Sequence, residues 1–440
     1  MIQRLITSLS ARWKTFWFEP ISATGFGLMR IVFGLTALLT FLSEWSLVDL
    51  FYGPHGVLPR DMGPSIFRAD WHVSLLLHAS SFTTHALYIA LLLALTCVIL
   101  GIWTRTSLLI SIILMYSFHE YGQITLDSGD TLQRLIGFIL VLSPCGRAMS
   151  IDSLRLRLKS SRDTGTDIDA ERRTMPIWPY RLLLWQMIVL YTSAVMEKWS
   201  GTTWLSGSAV AITLHHSHFT RLSPALANGV SYLSPAIGDF TLVTQSLWIG
   251  LLIIPVLTWI RLLPKNANGT FKRALLLAGL LTHGGIMMLM EIGTFSLIVF
   301  AGYLGLLKDD DFSAMRNWFN RKVLKKTIIL FDGRCGLCNA MIILLRSLDW
   351  LKRLQFENYH DPVVREKYAG GIPVKTLDEA MHVRSPNGSI TKGFYGVRTL
   401  TKELPPLWIL VPILYIPGIP FIGEKVYGWV ARHRPQRAGK

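Results

Sequence analysis

Long apolar runs, separated by short polar segments, dominate the chain up to about residue 307. A straight membrane-spanning helix needs about 20 consecutive, mostly apolar residues. The pattern therefore predicts a multi-pass α-helical membrane bundle over residues 1–307, with eight crossings of which the third, fourth and last are short. The approximate limits of these crossings are 24–43, 83–102, 106–119, 131–144, 179–197, 241–260, 274–290 and 293–307.

The pattern changes abruptly after Leu307, where charged residues become frequent. We predict a basic linker over 308–325 and a small α/β domain over 326–440. Residues 327–331 are apolar and rich in β-branched side chains, as in a buried parallel strand. Apolar residues then recur at helical spacing over 336–351. A second strand is predicted over 353–359, and a β-hairpin over 379–390 with its turn at 386–388.

Composition supports a membrane location. Of the 440 residues, 51% are apolar and 16% are charged, whereas a soluble protein carries about 25% charged residues. The net charge is +16, and in a membrane protein such an excess indicates basic cytoplasmic loops and a lipid partner, not nucleic acid. Four cysteines are too few for a disulfide framework.

Lys and Arg also predict the orientation. With the N-terminus in the cytoplasm, sixteen basic residues fall in inner segments and five in outer ones, Arg60 and Arg68 among the latter. The positive-inside rule favours this arrangement. Eight crossings then place both termini in the cytoplasm, and the expected location is the inner (plasma) membrane. Residues 1–20 are predicted to form an amphipathic segment at the membrane surface.

The clearest chemical motif is Cys335-Gly-Leu-Cys338, which follows the strand 327–331 and an Asp-Gly turn. The pattern places Cys335 at a helix N-terminus, where free N–H groups and the helix dipole stabilise a thiolate. A thiolate with a second cysteine three residues on is suited to disulfide exchange. We predict that Cys335 attacks and Cys338 resolves the mixed disulfide.

Two other interpretations of the cysteine pair remain. A zinc half-site would need two more ligands, and His360, His382 and His433 do not have ligand spacing relative to the pair. A purely structural pair is the other alternative. We favour the redox interpretation and predict no metal site. Cys97 is interpreted as a core residue, and Cys145 as a packing residue or a thiol relay.

The region 325–436 resembles the DCC family of thiol-disulfide oxidoreductases, a thioredoxin-like group. Asp332-Gly333, Cys335 and Cys338 carry this resemblance, together with Ile416-Pro417-Gly418 near the C-terminus. It implies a thioredoxin-like fold, a thiol or disulfide partner, and Asp332 as a further catalytic candidate. The Pro-rich run 405–420 is interpreted as a helix and loop that dock against the membrane or the bundle.

Ionisable residues inside membrane segments are costly and so are functional candidates. Arg30 is expected to reach the membrane surface or to pair with an acid, Asp130 and Arg134 to form a salt bridge, and His85 to lie at the interface. The cluster His215, His216 and His218 is interpreted as an exposed run. The remaining candidates are Asp127, Glu197, Lys198, His283 and Glu291.

Residues 20–305 resemble the HTTM domain, the transmembrane family shared with vitamin K-dependent gamma-carboxylases. The matching motifs are Lys198 followed by Trp204 and Gly207, then 51–57, 129–130, and His283 followed by 292–295. The resemblance implies that Lys198 is a deprotonated base near a reduced, vitamin K-like quinone, and that His283 orients or protonates a quinone oxygen. The large luminal domain of true carboxylases has no counterpart here.

Three functions remain open from the sequence. The first is a membrane thiol-disulfide oxidoreductase, with or without coupling to a quinone in the bundle. The second is a carboxylase-like enzyme that uses reduced quinone and Lys198 on an external substrate. The third is a non-enzymatic protein of peptide export, maturation or immunity. Cysteines facing the cytoplasm cannot reach an outward Lys198 across about 30 Å of hydrocarbon, so coupling would need a mobile quinone or a conformational link.

Overall fold

The computed structural model describes residues 2–57, 74–122, 126–164, 173–264, 266–322 and 326–433. Arg60 and Arg68 of the charge count lie outside these residues, as does the end of the predicted linker at 323–325. The chain divides into two compact units. One comprises residues 1–150 and 173–307, and the other residues 151–172 and 308–440.

The first unit is a helical bundle. Its α-helices are Ile2–Phe18, Thr24–Ser43, Val48–Tyr52, Ser81–Leu100, Thr104–Tyr121, Ser128–Leu142, Trp178–Ser200, Thr202–Leu205, Ala209–His215, Pro224–Ser231, Ser234–Ser246, Gly250–Trp259, Ala267–Leu289 and Phe295–Gly305. Short 3-10 helices cover Trp45–Leu47, Cys145–Arg147 and Leu247–Ile249, and Pro20–Ser22 pairs antiparallel with Thr174–Pro176. Each segment predicted to cross the membrane is therefore helical.

The predicted count of eight crossings is not confirmed. Among the described residues, three helical segments are long and apolar enough to span a membrane: Thr24–Ser43, Ser81–Leu100 and Ser234–Trp259. The number would be four only if a bent pair of C-terminal helices, Pro405–Leu414 and Ile419–Arg432, counted as one span. The other predicted crossings fall short in length or in hydropathy. Phe295–Gly305, for example, has 11 residues, which rise only about 16 Å.

Arg30 is fully buried in the bundle, where its guanidinium donates hydrogen bonds to backbone carbonyls of the segment after Ser128–Leu142. Its Nη1 lies 3.3 Å from the Cys145 oxygen, and Nη2 donates to Met149. The last carbonyls of a helix and the following turn have no intrahelical partners, so a buried cation is well placed there. The expectation that Arg30 would reach the surface is therefore wrong.

The second unit is an α/β domain around a mixed four-stranded sheet. The strand order is Leu354–Asn358, Thr327–Phe331, His382–Arg384, Ile390–Lys392. The first two strands are parallel and the other neighbours are antiparallel. The helices are Ile151–Thr164, Asp309–Lys322, Gly336–Leu348, Pro362–Tyr368, Val374–Glu379, Gly393–Glu403, Val411–Leu414 and Ile419–Arg432, with a 3-10 segment at Pro405–Leu410.

The strand Thr327–Phe331 is buried on both faces, as its continuous apolar sequence predicts. Ile329 packs with Leu345 and Val383 on one side, whereas Leu330 packs with Tyr359 on the other. The helix Gly336–Leu348 connects the two parallel strands. Asp349 directly follows the last residue of this helix. Its carboxylate accepts hydrogen bonds from the backbone N–H groups of residues 353 and 354, at 2.8 and 3.0 Å. This connection fixes the start of the helix beside the end of the first strand.

Two segments differ from their sequence interpretation. Most of the predicted linker is the helix Asp309–Lys322. The helix Ile151–Thr164, which the sequence assigns to a basic loop of the membrane part, belongs to the second unit and packs against Gly336–Leu348. There Arg157 is buried and donates a hydrogen bond to the Ser347 hydroxyl. Hydropathy could not predict this contact, because a helix rich in charged residues is as polar as a solvent-exposed loop.

Candidate functional sites

The cysteine pair lies at the start of the helix Gly336–Leu348, shortly after the strand Thr327–Phe331. Cys335 is the N-cap residue of Gly336–Leu348, and its sulfur accepts the backbone N–H of Cys338 at 3.2 Å. The N-cap position of a helix has orphan N–H donors that a side-chain acceptor satisfies. The predicted placement of Cys335 at the helix start is thus what the structure has, and the sulfur receives a direct N–H donor.

The two sulfurs differ in exposure. Cys335 is 1% exposed and Cys338 is half-buried. All four cysteines of the chain fall in described residues, and none of them forms a disulfide. Cys145 is buried with its sulfur 3.6 Å from the Leu140 carbonyl oxygen, and Cys97 is half-buried. Cys145 therefore packs inside the bundle.

A histidine that the sequence reasoning set aside joins the cysteine site. The Asp332 Oδ1 atom lies 2.9 Å from His360 Nε2 and also accepts the backbone N–H of Arg334 at 2.9 Å. The backbone carbonyl of Asp332 accepts the N–H of Cys335 at 3.2 Å. Asp332 therefore links His360 to the turn that carries Cys335.

The topology explains why His360 arrives there. His360 follows the second strand, Leu354–Asn358, which is parallel to the strand that ends just before Asp332. Because the carboxyl ends of parallel strands lie at one edge of a sheet, residues that follow them converge. Asn358 reinforces this edge, since its Oδ1 accepts the N–H groups of Gly333 and His360. A search for polar residues after each predicted strand would have found His360.

Metal ligation finds no support in the described parts of the chain. No group of three His, Cys, Asp or Glu side chains there could hold a metal ion. In the histidine run 215–218, the Nε2 atom of His215 lies 2.7 Å from Asn228 Oδ1, and its Nδ1 atom lies 2.8 Å from the Ala211 carbonyl oxygen.

The second candidate site lies in the bundle around His283. Its Nε2 atom is 2.8 Å from the Tyr191 hydroxyl, which also contacts the Tyr303 hydroxyl. Tyr191 stacks on Trp248, with ring centroids 4.4 Å apart and an interplanar angle of 19°. His283 itself is 3% exposed. The result is a buried cluster of flat rings with polar groups at their edges.

Several polar atoms in this part of the bundle lack a hydrogen-bond partner. They are His283 Nδ1, Trp248 Nε1 and Gln245 Oε1, each from a buried side chain. A buried polar group without a partner is costly, and such groups are typical of sites that a ligand completes. Two ring nitrogens without a partner, beside stacked aromatic rings, suit a flat ligand with polar oxygens at its edge. The residues here therefore fit a quinone.

Lys198 lies on the same helix as Tyr191, two turns further on. The Lys198 amine donates to the Ala194 carbonyl at 3.2 Å and sits 5.1 Å from the centre of the Trp204 ring. Lys198 is half-buried and within electrostatic range of His283. The adjacent Glu197 is exposed. The structure thus brings Lys198 and His283 into one region, as the sequence motifs suggested.

The acidic candidates of the fourth predicted crossing have mainly structural contacts. Asp127 and Asp130 form a capping box at the start of Ser128–Leu142. Arg134 pairs with Glu120 at 3.0 Å, and His119 lies 3.8 Å from Asp130. The predicted Asp130–Arg134 bridge is therefore replaced by pairs to the preceding helix. His85 lies 3.7 Å from Asp49, and Glu291 pairs with Arg221 at 2.7 Å.

Two glycines bring separate motifs of the bundle together. A Cβ on Gly129 would lie 3.0 Å from the backbone of Phe295. Gly293 has φ +59°, and a Cβ there would lie 2.7 Å from the Asp127 carboxylate. Glycine is required where a backbone approaches this closely or adopts a left-handed conformation. The motifs at 129–130 and 292–295 are therefore neighbours in space.

A helical bundle with apolar helices, joined to an α/β unit with a cysteine pair at a helix N-terminus, defines a membrane protein that carries a thiol domain. Family comparison agrees. The HTTM domain model matches residues 18–304, and the chain belongs to this family. The DCC1-like thiol-disulfide oxidoreductase model matches residues 329–440. No curated protein and no solved structure matches the chain.

These matches confirm the predicted fusion of an HTTM domain with a DCC1-like domain. Together they support a membrane redox or carboxylase-like role. The C-terminal match includes Cys335, Cys338 and His360, whereas the HTTM match includes Lys198 and His283.

Proposed function

We propose that this protein is a membrane-anchored thiol-disulfide oxidoreductase whose redox centre is Cys335 and Cys338. One observation carries the proposal: the Cys335 sulfur caps a helix and accepts the N–H of Cys338. The thiolate is the reactive form of a cysteine in disulfide exchange, and the N-cap position supplies N–H donors that a sulfur can accept. The DCC1-like match over 329–440 and the mixed sheet beneath the pair support the same activity.

The exchange proceeds in two balanced steps. The Cys335 thiolate attacks one sulfur of a partner disulfide, a Cys335–partner bond forms, and the other partner sulfur leaves as a thiolate. Cys338 then gives up its proton and attacks the Cys335 sulfur, which displaces the second partner thiolate. The pair is oxidised by two electrons and the partner is reduced. Because Cys335 is 1% exposed, the turn at 332–334 has to move for the first attack.

His360 and Asp332 are the groups available to handle the proton of the second step. Asp332 holds the imidazole through Oδ1 and holds the Cys335 backbone through its carbonyl. A neutral imidazole can accept a proton on one ring nitrogen and donate one from the other. The partner is a disulfide-bearing protein or small molecule, and the cytoplasmic side of the plasma membrane is the proposed location. A cytosolic site favours a reduced pair at rest.

Trapping of the mixed disulfide tests this proposal. The full chain, with Cys97→Ser and Cys145→Ser, is exposed to oxidised glutathione and analysed by mass spectrometry. Cys338→Ser should accumulate a glutathione adduct at Cys335, whereas Cys335→Ser should not form one. An adduct at Cys338 in the Cys335→Ser variant would reverse the two roles. Absence of any adduct or disulfide would exclude exchange at this pair.

A second candidate function rests on the unpartnered polar atoms around His283. We propose that a quinone sits at this cluster, held by His283 Nδ1 and Trp248 Nε1, the two ring nitrogens without a partner, beside the aromatic ring of Tyr191. A bound hydroquinone would supply two electrons. Lys198 would act as a base toward an external substrate, as in the carboxylase-like alternative, because its half-buried amine sits close to the cluster.

Quinone binding can be measured without any assumption about activity. Menaquinone added to the purified chain should quench tryptophan fluorescence and raise the Tm, and His283→Phe should weaken both effects. Lys198→Ala should leave quinone binding intact and abolish only modification of an external substrate. Equal responses from the wild type and His283→Phe would rule out the cluster as the binding site. If Lys198→Ala changes no phenotype, the carboxylase-like alternative fails.

A further inference from the structure

The last three helical segments of the second unit, Pro405–Leu410, Val411–Leu414 and Ile419–Arg432, expose a group of apolar side chains. Six side chains define this C-terminal apolar face, and each is at least 50% exposed, with Ile409 at 79%. They are Ile409, Ile413, Phe421, Ile422, Val426 and Trp429. Soluble domains seldom leave so many large apolar side chains exposed within one short segment. Some apolar partner is therefore needed.

The opposite side of the helix Ile419–Arg432 accounts for its position in the domain. A Cβ on Gly423 would collide with the Phe394 ring, so this helix packs closely against Gly393–Glu403. The Tyr427 hydroxyl accepts the backbone N–H of Met381 at 2.9 Å. The helix is thus held on its Gly423 and Tyr427 side, while Ile422, Val426 and Trp429 point away. The apolar face is a consequence of this packing, not of an undocked tail.

The length and the bend of the C-terminal helical segments determine whether they can cross a membrane or only lie in it. The segments Pro405–Leu414 and Ile419–Arg432 are together apolar enough for a span, but they are bent by 116°. The bend follows Pro417 and Gly418, the latter with φ +93°. The second helix has 14 residues, which rise about 21 Å. That is less than the hydrocarbon thickness of about 30 Å, so the pair can enter one leaflet but not cross both.

The charged side chains near the C-terminal apolar face indicate which lipids it would contact. The exposed charged side chains of 405–432 are the basic Lys425 and Arg432, whereas Glu424 is turned toward Gly393. Lys425 sits 4.2 Å from the centre of the Phe421 ring, and Lys402 sits 4.3 Å from that of Tyr415. Basic groups beside aromatic and apolar side chains are typical of helices that lie at an anionic lipid surface.

We propose that the C-terminal apolar face inserts into one leaflet of a bilayer that contains anionic lipids. The bilayer that holds the HTTM bundle is present at high effective concentration, because both units belong to one chain. The face would hold the domain of Cys335 and Cys338 at the membrane surface. The inference does not depend on the redox activity of those cysteines.

Depth-dependent quenching tests the insertion. In a background with all four cysteines replaced by serine, a single cysteine at Ile422 or Val426 carries an environment-sensitive fluorophore. The full chain is reconstituted in vesicles of phosphatidylcholine and phosphatidylglycerol. Val363, which is 69% exposed on the helix Pro362–Tyr368 of the same unit, is the control position.

Labels at 422 and 426 should be quenched by nitroxide-bearing lipids and protected from aqueous iodide, and the label at 363 should behave in the opposite way. Strong iodide quenching at 422 and 426 would overturn the proposal. Protection from both quenchers would do so as well, because it would mean that protein covers the face. Ile422→Glu combined with a label at Val426 should restore iodide quenching, with an unchanged circular dichroism spectrum as the check on folding.

Discussion

At the scale of single residues, the thiol site depends on two contacts made at the turn that precedes the helix Gly336–Leu348. Cys335 caps the helix, and Asp332 connects the turn to His360. The sequence predicts that Cys335 lies at the helix start, because the helix has to begin between the Asp-Gly turn and the apolar helical repeat that follows it. It does not predict the contact between Asp332 and His360, since these two are 28 residues apart and only the pairing of two parallel strands brings them together.

The capping role of Cys335 can be separated from its redox role. Cys335→Ala removes the acceptor for the Cys338 N–H, and loss of an N-cap acceptor costs about 1 kcal/mol. Cys335→Ser keeps an acceptor and should retain most of that stability. Both variants should lose disulfide exchange. Chemical denaturation of the full chain, monitored at the C-terminal unit by hydrogen exchange, distinguishes them; equal stability of the two variants would contradict the capping role.

Proton transfer by His360 is testable through two substitutions. His360→Ala removes the imidazole that Asp332 holds, and we expect the exchange rate to fall about 100-fold, the lower end of general acid–base contributions. His360→Gln can still donate to Asp332 but cannot transfer a proton. It should therefore keep the stability of the domain and lose most of the exchange rate. An exchange rate of His360→Gln that matches the wild type would show that the imidazole only positions the turn.

At the scale of helices and strands, local sequence and tertiary contact contribute differently. The strand Thr327–Phe331 and the helix Gly336–Leu348 follow from their apolar patterns, and the predicted hairpin appears as His382–Arg384 and Ile390–Lys392. The helix Ile151–Thr164 could not be foreseen, because its buried Arg157 reads as a loop residue. The span count also exceeded what length and hydropathy support, since several helices of the bundle are short or carry buried polar groups.

The strand His382–Arg384 should make the stability of the sheet depend on pH. Burial lowers the pKa of His382 below 6.5, so in the unfolded chain this side chain binds protons more readily than in the folded one. Stability is then fully present above pH 6.5 and is lost as the pH falls through the folded pKa.

Hydrogen exchange over 382–384, corrected for intrinsic rates, should show weaker protection below pH 6.5. His382→Asn should flatten this dependence, because an amide can donate to the Ala380 carbonyl in place of Nδ1. The exposed His433, which makes the same kind of contact with the Trp429 carbonyl at 2.8 Å, provides a matched control as His433→Asn. An unchanged slope in His382→Asn would refute the assignment.

At the scale of the whole molecule, two recognisable domains are joined in one chain. The motifs around Lys198 and Cys335 were sufficient to predict both families, and the family models match over 18–304 and 329–440. The motifs could not reveal the cluster of Tyr191, Trp248 and His283, because its rings come from helices far apart in sequence. They also could not fix the topology, since hydropathy gives the position of apolar helices but not which of them cross.

Independence of the two domains follows from this organisation. If thiol exchange belongs to Cys335 and Cys338 alone, Lys198→Ala and His283→Phe should leave the rate of glutathione exchange within about twofold of the wild type, because neither side chain belongs to the unit that carries the cysteines. Stopped-flow exchange on the reconstituted chain provides the measurement. A loss of tenfold or more in either variant would mean that the bundle takes part in the thiol chemistry.

The redox state of the pair in native membranes tests the central claim most directly. Membranes containing the Cys97→Ser, Cys145→Ser chain are equilibrated in glutathione buffers of increasing oxidation, quenched with acid, and alkylated with a mass-tagged maleimide. We predict that the two remaining thiols, Cys335 and Cys338, lose both tags together in one two-electron transition, and that dithiothreitol restores them. Retention of both tags throughout the oxidising series would contradict the account, because the pair would then be structural and not redox-active.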